Sequence, residues 1–284
     1  MAQRVRFSEF WFLYGQTFRQ MGRLNLWLPV LILGLVAFMI MELHYYVFSP
    51  VAGPIVRAWA ELIKPELAGG LTHYPGQFIV MPYFFGNARL LVNIFLEAFL
   101  FGAMIDMLIA LHRGERPAFV VSFKAALRRY LPLTLVWFLL TALLYLVNIY
   151  FFDFVDKVIG YSLVEAPRRQ FMASLALRGV TVLLYMPCIY LLPAIMVGGK
   201  SLGQSIKSGF AVFARHPFIT LGLVLVPYIF GVIPSIWASE SVKVVTNFFP
   251  EMVYYLILIS IAVDVIVNFV LLGTSVKFFM DQSD

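Results

Sequence analysis

The chain is poor in charged residues, and this excludes an ordinary water-soluble fold. Only 13% of its 284 residues are Asp, Glu, Lys or Arg, while 62% are hydrophobic. A soluble domain is usually about half apolar and about a quarter charged. No polar block and no stretch rich in proline, glycine or serine divides the chain. We therefore expect a single membrane domain over residues 1–284.

The chain also lacks the residues and motifs of most catalytic and metal sites. Its one cysteine, Cys188, excludes an internal disulfide and a cysteine-cluster metal site. The four histidines do not pair at metal-ligand spacing, and no HExxH, Walker, GxSxG or GxGxxG run occurs. We predict no catalytic residue, no metal and no cofactor, so a non-enzyme is the first interpretation. An unusual intramembrane enzyme is the third.

Long apolar runs are what the chain has in abundance. A helix needs about 20 apolar residues to cross the hydrocarbon of a bilayer. Six segments qualify, and they lie near 25–48, 87–111, 131–152, 171–198, 217–238 and 251–278. The sequence therefore predicts an all-α integral membrane protein with six transmembrane helices.

The basic residues predict the orientation of these spans. Thirteen of the 21 Lys and Arg residues lie before an odd-numbered span or after the last one, seven lie on the opposite side, and Arg178 lies within a span. Cytoplasmic loops carry the excess of Lys and Arg, so both termini are predicted to be cytoplasmic. The net charge of +6 then reflects basic loops rather than nucleic-acid binding. We expect a multi-pass protein of the bacterial plasma (inner) membrane.

A short amphipathic segment precedes the third span. In "SFKAALRRYLP" and the residues just before it, rings and aliphatic side chains recur at helical spacing, and the cations point elsewhere. The apolar face comprises Phe119, Phe123, Ala126, Leu127 and Tyr130. The cations are Lys124, Arg128 and Arg129. We predict an interfacial helix whose rings enter the lipid and whose cations contact anionic headgroups.

The same arrangement recurs before the fifth span and, in a longer version, before the first. Ile206, Phe210 and Phe213 share one face, with Lys207 and Arg215 off it. We call these three predicted segments the elbow helices. They divide the chain into units of roughly 7–112, 117–199 and 201–279, which indicates a threefold parallel repeat. The alternative is that any six-span protein with basic inner loops resembles a repeat.

The connection 49–86 is predicted to lie on the outer side. Its first half fits a helix lying on the bilayer, and "AGGLTHYPGQ" is typical of turns. We interpret the following "FIVMPYFFG" as a re-entrant or interface segment.

One stretch resembles a known group of proteins. "LLPAIMVGGKSLGQSIKSGFAVFARHPFITL" (191–221) has a proline in a returning span, a small-residue turn, an amphipathic stretch with a basic residue, and then the next span. This is similar to a pattern in poorly characterised bacterial six-span proteins and in the membrane domain attached to some glycerophosphodiester phosphodiesterases. Ser208 fits the Ser of the Ala-x-x-Ser core, while Ser205 stands where Ala is usual. The resemblance implies a fold and not an activity.

Ionisable groups inside the spans are the candidate site. Such groups are costly in hydrocarbon, so each requires a partner or a cavity. The predicted polar cluster comprises Glu97, Arg178, Asp264, Asn93 and Asn268. Counted from the outer ends of their predicted spans, Arg178 and Glu97 lie at similar depths in the membrane, which favours an ion pair between them. The cluster is interpreted either as buried interhelical contacts or as a hydrophilic pocket or proton-coupled path.

These observations favour a non-catalytic accessory or scaffold subunit for envelope or lipid-related machinery. Its partners would be membrane lipids and a protein within the membrane. A permease for a small or lipidic substrate is the alternative. A permease needs a wettable path, whereas a scaffold does not, so the packing around Glu97, Arg178 and Asp264 distinguishes the two.

Overall fold

The computed structural model describes residues 7–159, 167–197 and 201–283, and within these residues the chain forms helices and no strand. Six helical segments are long and apolar enough to cross a membrane: Leu24–Tyr45, Gly76–His112, Tyr130–Val158, Met172–Val197, Pro217–Pro234 and Met252–Gln282. The predicted all-α fold with six spans is therefore confirmed. Arg4, Arg6 and Lys200, which contribute to the charge argument, lie outside the described residues.

The helices follow one another with short connections. In chain order they are α1 (Phe7–Gln20), α2 (Leu28–Tyr45), α3 (Ala52–Ile63), α4 (Pro65–Ala68), α5 (Gly76–Val92), α6 (Ala98–His112), α7 (Phe119–Arg128), α8 (Tyr130–Ile159), α9 (Pro167–Tyr185), α10 (Leu191–Val197), α11 (Leu202–Arg215), α12 (Pro217–Ser239), α13 (Ser241–Asn247) and α14 (Met252–Ser283). A π-helical turn, Asn93–Glu97, joins α5 to α6. Short 3₁₀ turns are formed by Leu24–Trp27, Gly69–Thr72 and Met186–Cys188.

The second span is the centre of the bundle. In its most apolar window 72% of the residues are buried within the protein, against 17% in the third span. α5, the π turn and α6 run on as one helical segment of 37 residues, about 55 Å long at the α-helical rise. The prediction that "FIVMPYFFG" is a re-entrant segment is wrong, because these residues belong to α5, which continues through Pro82. The alternative, a segment at the interface, stays a prediction.

The three elbow helices are present at the predicted places. α1, α7 and α11 each precede an odd-numbered span, so they lie at the same side of the bundle, which we call the elbow side. α11 has the clearest start: the backbone N–H of Gln204 donates to the Ser201 hydroxyl, and the backbone N–H of Ser201 donates to the Gln204 side chain. This reciprocal cap satisfies two amide groups that a helix end leaves free.

The ring face of α7 packs on the protein and not on lipid. The Phe123 ring lies edge-on to Phe99 of α6 at 4.6 Å. Val120, Val121 and Leu127 are the exposed apolar side chains of this helix. The predicted orientation of the rings toward the acyl boundary is therefore wrong. Helical spacing shows which residues share a face, but it does not show whether lipid or protein covers that face.

α1 joins the beginning of the chain to its end. The Tyr14 hydroxyl donates to the backbone carbonyl of Gly222 in α12 at 3.3 Å. A Cβ added at Gly273 of α14 would lie 2.5 Å from Cγ2 of Thr17, so only glycine permits this approach. The first and third predicted units are thereby in contact. Their relation by a threefold repeat stays a prediction.

Candidate functional site

Polar side chains meet near the middle of the spans. Depth can be measured along each helix from the elbow side. In α14, Asp264 lies about 14 Å from Gly273, the residue that contacts the elbow helix α1. Thr141 lies about 17 Å from the start of α8, and Tyr228 lies about 17 Å from the start of α12. Half of a typical hydrocarbon core is about 15 Å. These residues therefore lie at one depth, close to the predicted mid-plane.

An ion pair joins the second span to the last at this depth. The guanidinium of Arg89 in α5 donates to the Asp264 carboxylate of α14 at 2.6 Å, and both side chains are largely buried. The predicted pairing of Arg178 with Glu97 is wrong, because no salt bridge joins them. In the charge count, Arg89 was one of the seven cations of the outer side, because it lies only two residues after the predicted start of the second span at residue 87. The continuation of α5 places this arginine inside the bundle.

The π turn presents Glu97 and Asn93 to the interior. Glu97 is 7% exposed and lies within electrostatic reach of Arg89 and Asp264. The indole N–H of Trp137 lies near its carboxyl group without completing a hydrogen bond. The side-chain oxygen of Asn93 is also buried without a partner. Buried polar groups normally have partners, so this turn holds unused hydrogen-bonding capacity.

A polar cavity of about 530 Å³ opens beside this turn, and we call it the chamber. It is lined by the end of α5, the π turn, α8, α9 and α12. Its lining residues are Leu90, Asn93, Glu97, Trp137, Thr141, Leu144, Tyr145, Asn148, Ser174, Leu177, Arg178, Thr181 and Tyr228. Tyr145 and Asn148 are exposed at the surface. The chamber therefore opens between α8 and α9, toward the side opposite the elbows.

Arg178 is the cation of the chamber. Its guanidinium lies beside the Tyr228 hydroxyl, and no acidic side chain of the described residues forms an ion pair with it. It thus faces the chamber rather than the predicted partner Glu97. A cation at this depth without a carboxylate is unusual, because a charge inside the membrane is costly.

Two apolar cavities adjoin the chamber. A smaller one of about 230 Å³ shares Glu97, Trp137, Thr181 and Tyr228 with it and reaches Asn268 of α14. A groove of about 450 Å³ between α9 and α12 shares Arg178 and Tyr228 with it. Of the predicted polar cluster, Glu97, Asn93 and Arg178 therefore line the chamber. Asn268 lines the small cavity, and Asp264 is held by Arg89.

Sequence reasoning missed Arg89, Trp137, Thr181 and Tyr228. The sequence contains a signal that places Arg89 inside a span, because the apolar run before it extends the second span toward the N-terminus. Trp137, Thr181 and Tyr228 had no such signal, because only the packing of α8, α9 and α12 shows that they share a cavity.

The predicted lipid-contacting cations divide into two groups. Lys124, Arg128, Lys207 and Arg215 are exposed on α7 and α11, where headgroups can reach them. Arg129 is half-buried and donates to the backbone carbonyls of Ile195 and of Met196, the latter at 2.8 Å. Its prediction as a lipid contact is therefore wrong, since it satisfies carbonyl groups at the end of α10.

Within the described residues, no group of three or more His, Cys, Asp or Glu side chains is placed to hold a metal ion. Comparison with known proteins gives no match: no family model, no curated protein and no solved structure is significantly similar to the chain. The resemblance of residues 191–221 to the phosphodiesterase-linked membrane domains stays a prediction.

Proposed function

We propose that the chain is a permease for a small or lipidic substrate and that the chamber is its substrate site. The observation that carries this proposal is the cavity of about 530 Å³ at mid-span, with Glu97 and Arg178 in its wall. A scaffold needs interhelical contacts and no chamber, so the scaffold interpretation is the second candidate. The volume lies within the usual range of ligand pockets.

The same proposal includes the setting of the protein. We place it in a bacterial plasma membrane with both ends cytoplasmic and with no catalytic role. The support is the excess of basic residues on the elbow side and the exposure of Lys124, Arg128, Lys207 and Arg215 there. The chamber would then open outward, and the exposed cations would contact anionic lipids of the inner leaflet.

Cysteine accessibility tests the proposal. Cys188→Ala removes the natural thiol, and Thr141→Cys then places one thiol in the chamber. The matched control is Leu139→Cys, at nearly the same depth of α8, because Leu139 is 58% exposed on the outer surface of the bundle and does not line the chamber. Both proteins are reconstituted in liposomes and treated with a membrane-impermeant methanethiosulfonate.

We expect the thiol at 141 to react at least about tenfold faster than the thiol at 139, because thiolates form in water and not in hydrocarbon. Equal and slow reaction at both positions would show that the chamber is closed to water, and the scaffold interpretation would replace the permease.

A further inference from the structure

Two side chains of opposite charge line the chamber, and neither has a counterion. Arg178 of α9 forms no ion pair with an acidic side chain of the described residues, and Glu97 of the π turn forms none with a cation among them. The neighbouring charges of Arg89 and Asp264 neutralise each other at 2.6 Å. Charged groups inside a membrane normally pair with one another or line a path for ions or substrates. A cation and a carboxyl group in the wall of one polar cavity therefore indicate a site for a charged ligand.

The two groups lie on different walls of the chamber, about one helical turn apart in depth. α8 packs against both the π turn and α9, and the chamber lies between these two segments. Thr181 of α9 and Glu97 line both the chamber and the small cavity, so they lie together at the inner end of the chamber. Arg178 precedes Thr181 by about 4.5 Å of helix rise. No ion pair joins Arg178 to Glu97, so their charged atoms are more than 4.0 Å apart. A ligand that contacts both therefore carries two charged groups.

The wall at Arg178 suits a carboxylate. The guanidinium lies beside the Tyr228 hydroxyl, and both residues line the chamber. A guanidinium binds a planar carboxylate through two parallel N–H donors, and a hydroxyl donates a further hydrogen bond.

The wall formed by the π turn suits an ammonium group. Glu97 is 7% exposed, and the side-chain oxygen of Asn93 is buried without a partner in the described part of the chain. Both residues line the chamber, and both offer acceptor oxygens. An ammonium group has three N–H donors and no acceptor, so it satisfies the amide oxygen and the carboxylate together. A quaternary amine has no N–H and would leave the amide oxygen unpaired.

We propose that the chamber binds a small zwitterion with a primary ammonium group and a carboxylate. The carboxylate contacts Arg178 and Tyr228, and the ammonium group contacts Glu97 and Asn93. The volume of about 530 Å³ leaves room for the carbon skeleton against the three leucines of the lining. This inference rests on the proposed permease function and specifies the class of its substrate.

Protection of a chamber thiol tests this proposal. The Thr141→Cys protein that lacks Cys188 is treated with the impermeant methanethiosulfonate in liposomes, with and without a ligand. The zwitterionic probes are leucine, whose charged groups share one carbon, and 4-aminobutyrate, whose charged groups are farther apart. Butyrate and butylamine are the controls, because each carries only one of the two charges. At about 10 mM, a ligand with a dissociation constant of about 1 mM should slow the reaction about tenfold. We expect this slowing with at least one zwitterion and less than about twofold slowing with either control.

Three variants in the same protein locate the two contacts. In Arg178→Gln, protection by the zwitterion should fall to the level of butylamine, because the carboxylate has lost its partner. In Glu97→Gln it should fall to the level of butyrate, because the ammonium group has lost its partner. Arg128→Gln removes an exposed elbow cation and should leave protection unchanged. Each rate is divided by the rate of the same variant without ligand, so a general change in thiol reactivity does not affect the comparison.

The outcomes distinguish this inference from the proposed function. Protection by butyrate or butylamine that equals protection by the zwitterions would overturn the zwitterion site in favour of a ligand with a single charge. Protection that neither Arg178→Gln nor Glu97→Gln weakens, or no protection by either zwitterion, would also overturn it. Each of these results leaves the permease proposal standing, because the thiol at 141 still reacts from water. An unreactive thiol at 141 would overturn both proposals, since a chamber closed to water admits no zwitterion.

Discussion

Arg89 and Asp264 form an ion pair at 2.6 Å between the second and the sixth span, at the mid-depth of the bundle. The side chains are 21% and 24% exposed, so water screens the pair only in part. Pairing of this kind removes the cost of either charge alone in a membrane. It connects the second span, which has the largest buried share of the six spans, to α14, which also contacts α1.

Replacement of either partner should be more damaging than replacement of both. Arg89→Leu and Asp264→Leu each leave one buried charge without a counterion, and each should lower the free energy of unfolding by about 3 kcal/mol. The double variant should lose less than either single variant. The measurement is a double-mutant cycle on thermal unfolding in detergent.

An exposed pair is the control for this cycle. Lys243 and Glu240 lie 2.7 Å apart with side chains 74% and 50% exposed. Their replacement by Leu and Gln should change stability by less than about 1 kcal/mol. Strictly additive losses at Arg89 and Asp264 would contradict the coupling that the geometry indicates.

Arg129 should stabilise the protein through the end of α10. Arg129→Leu leaves the carbonyls of Ile195 and Met196 without their donor, and loss of charge-assisted hydrogen bonds costs about 2 kcal/mol. Arg128→Leu, at the exposed neighbouring position, should have little effect. Thermal unfolding of the two variants decides the matter, and similar losses in both would show that only surface charge is involved.

Gly273 should be intolerant of even one methyl group. In Gly273→Ala the new Cβ would overlap Cγ2 of the buried Thr17, whose hydroxyl is held by the Leu13 carbonyl. We expect reduced stability and a weakened contact of α1 with α14. Gly86→Ala, where a Cβ meets nothing within 4 Å, should be neutral or slightly stabilising.

A second substitution tests the cause of that loss. Thr17→Ser removes Cγ2 and keeps the hydroxyl, so the double variant Thr17→Ser with Gly273→Ala should recover most of the lost melting temperature. If the melting temperature does not recover, the contact with Cγ2 of Thr17 is not the cause of the loss.

Topology can be measured with fused reporters. A reporter placed after Asp284 should report the cytoplasm, and one inserted near Gly70 should report the outside, because the elbow side carries the excess of Lys and Arg. The reverse pattern would overturn the orientation and would make the chamber open inward.

Hydropathy and spacing predicted the six spans and the positions of the elbow helices, because both properties depend on local composition. The start of the second span was misplaced by about ten residues, because the apolar run "FIVMPYFFG" was interpreted as a re-entrant or interface segment and not as the beginning of the helix. This error also determined the wrong ion pair. The depth of Glu97 was counted from the misplaced start of the second span, and this count favoured Arg178 as its partner. Arg89 was not considered as a buried cation, so its pairing with Asp264 was not predicted.

The remaining errors depend on packing between helices. Phe123 has the spacing of a lipid-facing ring, yet Phe99 covers it. Arg128 and Arg129 are adjacent residues of the same type, and only the contact of Arg129 with the end of α10 separates their roles. Residues from five elements, α5, the π turn, α8, α9 and α12, line the chamber, so neither Trp137 nor Tyr228 could be assigned to it from the sequence.

The π turn between α5 and α6 carries one residue more than an α-helical turn would hold. In an unbroken α-helix, Arg89 and Glu97 would point about 80° apart, and absorption of the surplus residue reduces this to about 20°. Deletion of Phe95, which is 55% exposed, would leave an ordinary helix with both flanks in register. Insertion or deletion of a single codon at this point would therefore create or remove the wide turn beside the chamber, while the six-span frame stays unchanged.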